Sequence, residues 1–447
     1  MLEIRAKTMP ELQAMTLTEI QAMTLPELSR VRLRRRDRRN IISAVSAVFG
    51  GKMEDSLPIA MHREWKGKIE TKVKVPLENQ YDMALAYTPG VAEPCLEIKD
   101  DPSLSYAFTA RWNTVAVITN GTAVLGLGDI GPVAGMPVME GKAALFKAFG
   151  NVDAVPLCIN SKDSETVIRT VELLEGSFGG VNLEDISAPA CFRIEEELKK
   201  RCSIPIFHDD QHGTATVVLA ALKNALKLSK KKIQKLRIVI NGCGAAGIAI
   251  AKLLIKAGAS DIIMCDRKGI VTEESSGDNE YKLEIARATN PRKVKGKLAD
   301  ALRKADVFIG VSAANILSAD DVARMNEKPI IFAMANPIPE ILPAIARRAG
   351  AFIVGTGRSD YPNQINNVLA FPGIFRGVFD AGACDINDGM LLAAADAIAS
   401  CVSGDELDCE NIVPQAFDPG VTEAVARAVA KAAAETGAIR GGAVCGS

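Results

Sequence analysis

Leu236-Arg237-Ile238-Val239-Ile240-Asn241-Gly242-Cys243-Gly244-Ala245-Ala246-Gly247 begins as a short β-branched run and ends in a Gly-x-Gly-x-x-Gly turn. Residues 245–257 follow with helical spacing, and a second apolar run, Ile262 to Cys265, stops at Asp266. A lone glycine fingerprint is weak, but strand, turn, helix, strand and acid in this order is the context that dinucleotide binding requires. The glycines admit a tight turn and close approach of a pyrophosphate, the helix amino end offers N–H donors, and the acid takes ribose hydroxyls. The candidate cofactor residues are therefore Gly242, Cys243, Gly244, Ala245, Ala246, Gly247 and Asp266. Asp266 repels a 2′-phosphate and leans the reading to NAD, whereas Arg267 and Lys268 beside it can neutralise one, so NADP stays open.

Further apolar runs lie on either side: Thr114 to Thr119, Val155 to Ile159, Ile204 to Phe207, Val307 to Val311, Ile330 to Met334 and Phe352 to Val354. Longer stretches with helical spacing separate them. This alternation predicts an α/β protein with parallel sheets covered by helices, including a Rossmann-type doubly wound sheet. Ligands are then expected at the carboxyl ends of the strands.

The chain has 447 residues, 48% hydrophobic and 24% charged, with 53 Lys+Arg against 54 Asp+Glu. That balance excludes a chain-wide nucleic-acid footprint. Apolar runs are too short for a membrane span; even Val217 to Leu228 carries Lys223, Asn224 and Lys227. The ten cysteines are scattered from Cys95 to Cys445 without a C-x-x-C pair, so free thiols in a reducing, cytoplasmic setting are expected. Residues 1–64 read differently. They hold an imperfect octad over 8–31, seven arginines between Arg30 and Arg39, and the apolar Ile41 to Phe49. The charged lead is too long for a signal peptide and too rich in glutamate for a transit peptide, so an appended helical arm is expected.

Two runs upstream of the fingerprint end in acids. Gly180 to Leu183 leads into Glu184-Asp185, and Ile204 to Phe207 leads into His208-Asp209-Asp210. Adjacent side chains of a strand point to opposite faces, so a neighbouring pair converges only where the strand ends and the backbone turns. Acids so placed form an oxygen-ligand site suited to Mg²⁺ or Mn²⁺, or else cap the helices that follow. His208 and His212 are spaced as in H-E-x-x-H, but Asp209 stands where the glutamate belongs and Gly213 follows, which argues against zinc hydrolysis.

Tyr87-Thr88-Pro89-Gly90-Val91-Ala92, Leu125-Gly126-Leu127-Gly128-Asp129-Ile130-Gly131, Met139-Glu140-Gly141-Lys142, the two acidic pairs, the fingerprint, Ala335-Asn336-Pro337 and Gln364-Ile365-Asn366-Asn367 follow in that order. The set resembles malic enzyme of the shorter bacterial type, over roughly residues 65–440. The resemblance implies oxidative decarboxylation of malate to pyruvate and CO₂ with reduction of NAD or NADP and a required Mg²⁺ or Mn²⁺. It implies Tyr87 as the acid that protonates the product enolate, Lys142 as the base, Glu184, Asp185 and Asp210 as metal ligands, and Asp209 behind them near Lys142. Asn336 and Asn367 would bind substrate together with Lys142, and Asn366 would lie by the nicotinamide. It also implies a homo-oligomer, dimeric or tetrameric. Expected domains are an arm at 1–64, a catalytic domain at 65–215 and a dinucleotide domain at 216–447, with the site between the last two. Lys142 can act as a base only if its pKa falls far below about 10.4; a dication and desolvation push that way, and Asp209 opposes. The arginine that grips substrate carboxylate in the longer enzymes is missing from Asn120-Gly121-Thr122-Ala123-Val124. Two other readings remain: a dehydrogenase without decarboxylation, and a nucleotide-binding sensor or scaffold.

Overall fold

The computed structural model describes residues 56–402 and 404–440; the octad, the arginine-rich stretch and Ile41 to Phe49 lie outside the described residues. The chain divides into two units, Met1–Glu70 and Thr71–Ser447. In the first, helix α1 (Leu57–Trp65) starts with a proline in its first turn and stops where Lys66 turns left-handed at φ 51°. The ring of His62 stacks 5.3 Å from that of Trp65.

The second unit holds two sheets. The first has strands β1 (Thr114–Thr119), β2 (Asp153–Cys158), β3 (Gly180–Leu183) and β4 (Ile206–His208) in the order β2-β1-β3-β4, all parallel. Val115, Ala116, Val117 and Ile118 are all buried. A run buried on both faces is what a parallel strand needs when helices cover both sides. The second sheet has strands β5 (Arg237–Asn241), β6 (Asp261–Asp266), β7 (Gly269–Ile270), β8 (Val307–Gly310), β9 (Ile330–Ala333) and β10 (Ile353–Thr356), ordered β10-β9-β8-β5-β6-β7. It is parallel except for β7, a two-residue antiparallel edge too short to be read from periodicity. The order in which strands are added reverses between the parallel neighbours β5 and β8, the place where such sheets open a ligand crevice.

The helices used below are α2 (Gln80–Ala86), α3 (Ala92–Asp100), α4 (Pro132–Gly150), α5 (Ser164–Leu174), α6 (Ala190–Arg201), α7 (Thr214–Ser229), α8 (Ala245–Lys256), α9 (Glu280–Ala288), α10 (Phe371–Asp380), α11 (Asp388–Ser400) and α12 (Val421–Glu435). After β10 the chain returns to the first sheet. The ring of Phe371 on α10 lies 4.6 Å from that of Phe146 on α4, and that of Phe375 lies 5.8 Å from that of Phe207 on β4. The core over the first sheet is thus closed by the carboxyl-terminal helices. No described helix is long and apolar enough to cross a membrane. Eight described cysteines are free thiols, whereas Cys384 is disulfide-bonded, which departs from the expectation of free thiols throughout.

Residues 71–109 contain no buried residue. α2, α3 and the chain around them expose Val73, Val75, Leu77, Tyr81, Met83 and Leu85 in succession. An apolar row of this length is well beyond the scattered exposed hydrophobics of an ordinary surface.

Candidate active site

β3 and β4 are neighbours in register, so the acids after them emerge side by side: Leu183 pairs with His208. Asp185 takes a left-handed φ of 53°, and Asp209–Gly213 form a single π-helical turn. These two bends turn the acids toward each other. One carboxylate oxygen from each of Glu184, Asp185 and Asp210 lies within 4.8 Å of the others. The Asp185 backbone N–H donates to Asp210 Oδ2 at 2.8 Å, and Asn182 Nδ2 donates to Glu184 Oε2 at 2.8 Å.

Lys142 reaches this cluster from α4. Met139, Lys142, Ala143 and Phe146 are all buried there, so the lysine occupies a place in the apolar stripe of its helix. Its ammonium lies 2.5 Å from Asp209 Oδ2, 3.1 Å from Glu184 Oε1 and 4.2 Å from the centre of the Phe371 ring. Asn367 Nδ2 donates to the same Asp209 oxygen. Burial pulls the Lys142 pKa down, but the charges of Asp209 and Glu184 and the bond to Asp209 outweigh it and hold it above its ordinary value. That is opposite to the shift a base needs. Burial, then Asp210, push the Asp185 carboxyl up to about 7, and burial raises Glu184 and Asp209 as well.

Asp185 Oδ2 and Asp209 Oδ1 are buried without a hydrogen-bond partner. Crowded, desolvated carboxylates with a vacant oxygen fit a hard cation, which would supply the missing positive charge. The ring nitrogens of His208 have no hydrogen-bond partner either, and burial lowers its pKa. His208 and His212 do not converge on a common ligand: His212 Nε2 instead lies 2.7 Å from Glu195 Oε1.

A cavity of about 660 Å³ opens over Lys142, Glu184, Asp185 and Asp210 and is also lined by Asn336, Asn366 and Asn367. Gly126 packs its Cα where a Cβ would meet the Asn336 carbonyl at 2.4 Å, so the loop after β1 closes against the loop after β9. A second cavity of about 650 Å³ is lined by Gly242, Cys243, Gly244 and Asp266. The two share Val311 and Ser312, after β8, and Ala246 lines the first. Gly242, at φ +122°, has no room for a Cβ beneath Val311, and a Cβ on Gly247 would meet the Gly242 carbonyl at 1.8 Å. Around Gly244, by contrast, a Cβ would meet nothing within 4 Å, and α8 starts with no side-chain cap. The open glycine and uncapped helix end fit a pyrophosphate. Ala245 and Gly247 line neither cavity; Ala245 is the first residue of the uncapped α8, and Gly247 is buried in the same helix.

Residues 66–199 match the malic enzyme N-terminal domain, and residues 211–434 match the malic enzyme NAD binding domain. The chain belongs to the malic enzyme family. It is 58% identical over 381 residues to a bifunctional malic/malolactic enzyme of Bacillus subtilis, covering 85% of this chain and 93% of that one. It is 52% identical over 400 residues to an NAD-dependent malic enzyme of Geobacillus stearothermophilus, covering 90% and 84%. The crystal structure of an NAD-dependent malic enzyme from Thermotoga maritima superposes with a TM-score of 0.81 at 52% identity, covering 84% of this chain and 99% of that one.

One residue of the malic enzyme pattern stands apart. Tyr87, just after α2, is 69% exposed and does not line the cavity that holds Lys142. Three supporting residues were not singled out from sequence. Glu195 on α6 accepts from Gln211 Nε2 at 3.0 Å besides facing His212, and so braces the turn that carries Asp209 and Asp210. Glu340, fully buried, accepts from the Ser312 and Ala335 backbone N–H groups, each at 3.0 Å, and ties the ends of β8 and β9 together. Lys282 on α9 pairs with Asp266 at 2.9 Å. A buried-phase glutamate on α6, beside Cys191, Ile194 and Leu198, was a legible signal; the others were not.

Proposed function

We propose that this chain oxidatively decarboxylates malate to pyruvate and CO₂ while reducing a nicotinamide dinucleotide, with Glu184, Asp185 and Asp210 holding Mg²⁺ or Mn²⁺. The observation that carries the reading is Lys142, buried at 2.5 Å from Asp209 and 3.1 Å from Glu184 on the floor of a cavity shared with Asn336, Asn366 and Asn367. When bound, the cation would supply positive charge to the reaction, and the dinucleotide would supply the hydride acceptor.

The chain's own part is proton handling and orientation. Lys142 Nζ takes the hydroxyl proton only after giving one up, and Asp209 is the group in contact that receives it. Burial raises Asp209 toward that task. Added positive charge at the acid cluster weakens the hold of Glu184 on the ammonium and moves Lys142 toward its free-base form. Asn336 and Asn367 orient the substrate, and Asn366 the nicotinamide. Among the described residues no arginine lines this cavity, so these amides, Lys142 and the hydroxyls of Thr214 and Ser312 are the groups available to the substrate carboxylates.

Tyr87 enters from a second copy. The exposed apolar row on residues 71–109, the 69% exposure of Tyr87 and a cavity that no tyrosine lines among the described residues support a homo-oligomer whose partner covers the row and lends Tyr87 as the acid. The catalytic portion is assigned to residues 65–215 and the dinucleotide portion to 216–447, with the carboxyl-terminal helices α10 to α12 closing the catalytic core.

The test is nicotinamide reduction with L-malate, NAD or NADP, and Mn²⁺ or chelator, with pyruvate, lactate and oxaloacetate assayed at the end. Metal-dependent reduction with matching pyruvate is expected. Reduction that ignores chelator and yields oxaloacetate alone would place the chain among simple dehydrogenases.

A further inference from the structure

Asn336, Asn366 and Asn367 face one cavity from two different loops. Asn336 follows β9, whereas Asn366 and Asn367 end the loop that leaves β10. That second loop is closed at its base, because the Thr356 N–H donates to the Asn363 carbonyl at 3.2 Å and the Ile365 N–H to the Thr356 carbonyl at 2.8 Å. Arg358 stands within it, one residue beyond Gly357, which lines the cavity. Its Nε and Nη2 donate to the two oxygens of Asp360, each at 2.8 Å, and its guanidinium lies 5.4 Å from the centre of the Tyr361 ring. A forked pair of this kind fixes the guanidinium plane. From that plane Nη1 crosses to the first loop and donates to the Pro337 carbonyl at 2.6 Å.

Asn336 is thereby held on both sides of its own backbone. Upstream, the Ala335 N–H donates to the buried Glu340 at 3.0 Å; downstream, Arg358 holds Pro337. The Asn336 amide rests on Gly357, where a Cβ would meet its Nδ2 at 3.0 Å. A neutral amide binds a carboxylate more weakly than a guanidinium does, so its value depends on being in place before substrate arrives. We propose that Arg358 is a positioning residue: through the Pro337 carbonyl it sets the Asn336 amide in one frame with Asn366 and Asn367, and Asp360 holds Arg358 to that place and away from the substrate carboxylates. This rests on the malate reading of the cavity.

The test is calorimetric titration of L-malate into the full chain loaded with Mn²⁺ and NADH or NADPH; a reduced dinucleotide accepts no hydride, so binding is read without turnover. The variants are Arg358→Gln, Asp360→Asn, Asn336→Ala and the double variant Arg358→Gln/Asn336→Ala, with circular dichroism as the folding control and dinucleotide fluorescence as the cofactor control. Arg358→Gln is expected to weaken malate binding about tenfold, and Asp360→Asn about threefold in the same direction, with dinucleotide affinity unchanged. In the Asn336→Ala background Arg358→Gln should add less than about twofold, because it acts through that amide; general loosening of the loops would add in full. Tighter malate binding in Asp360→Asn, which frees the guanidinium, would assign Arg358 to the substrate carboxylate and overturn the proposal. An undiminished effect of Arg358→Gln in the Asn336→Ala background overturns it as well. Failure of the loaded wild type to bind malate overturns the malate reading itself, and is distinguishable from either.

Discussion

Gly213→Ala tests the Lys142–Asp209 contact through a residue that never touches substrate. An ideal Cβ on Gly213 would lie 1.8 Å from Asp209 Oδ1, 2.9 Å from Asp209 Cγ and 3.2 Å from Asn367 Cβ. To reach ordinary contact the carboxylate must withdraw by roughly 1.5 Å. Its other oxygen holds Lys142 at 2.5 Å and accepts from Asn367, so a movement of that size breaks both bonds. Overpacking of this kind costs about 1–3 kcal/mol of stability, and a lost hydrogen bond to a charged group about 1.5–3 kcal/mol. Misplacement of a catalytic group by about 1 Å costs on the order of a hundredfold in rate. The expected result is kcat/KM for malate reduced about a hundredfold with cofactor affinity unchanged, read by steady-state reduction and by titration of NADH fluorescence. Asp209→Asn, which keeps the shape and removes the charge, should show a comparable loss without the packing penalty. Activity of Gly213→Ala within twofold of wild type would refute the reasoning, because the contact would then be dispensable.

Co-expression of Tyr87→Phe and Lys142→Ala chains, each inactive alone, should restore about a quarter of wild-type activity, since half of randomly paired dimers then hold one intact site; no recovery would show that Tyr87 acts within its own chain. Glu195→Gln should weaken Mn²⁺ binding by about tenfold, measured by calorimetry, with dinucleotide affinity unchanged, because groups that brace metal ligands carry effects of that size; unaltered Mn²⁺ affinity would reduce Glu195 to a packing role. Asp153, on β2, accepts from Lys147 Nζ at 2.8 Å and Asn113 Nδ2 at 2.9 Å, and these bonds outweigh burial and depress its pKa. Its contribution is therefore present above the unfolded carboxylate pKa of about 3.9 and lost as pH falls through the lower folded value, so the stability gap to Asp153→Asn, at most about 1 kcal/mol for so exposed a pair, should be present at neutral pH and close in acid. A gap that persists undiminished at low pH would exclude this charge as its source.

The strands were the legible part of the fold. All eight short apolar runs read from sequence are strands; apart from the edge strand β2, which is only partly buried, they are buried on both faces and so have to be apolar along their length. Convergence of the acids was legible as well, since a pair after each of two strands meets only if those strands are neighbours, and β3 and β4 are. Other features depend on contacts between distant residues. Pairing of Lys282 with Asp266 joins a helix to a strand end, and bracing of the catalytic turn by Glu195 joins α6 to residues after β4. The first leaves no local pattern, and of the second only the buried phase of Glu195 on α6 was legible. Lys142 lies between these cases: lysine after glycine reads as a surface charge, yet its place three residues after Met139 and four before Phe146 set it in the apolar stripe of α4.

That placement bears on how the site works. A lysine in an apolar stripe carries a large desolvation cost, and Asp209 and Glu184 offset it so fully that the ammonium is the favoured form in the protein alone. As the proposed base, Lys142 is therefore latent. On the proposed reading two changes release it: positive charge held by Glu184, Asp185 and Asp210 would compete for the carboxylates that stabilise the ammonium, and a second copy lying over residues 71–109 would bring Tyr87 and exclude water. In the chain alone the lysine stays protonated and paired with Asp209. On that reading, coupling the proton state of Lys142 to the complete set of ligands would keep hydroxyl deprotonation from preceding assembly of the site, which an intermediate prone to losing CO₂ requires.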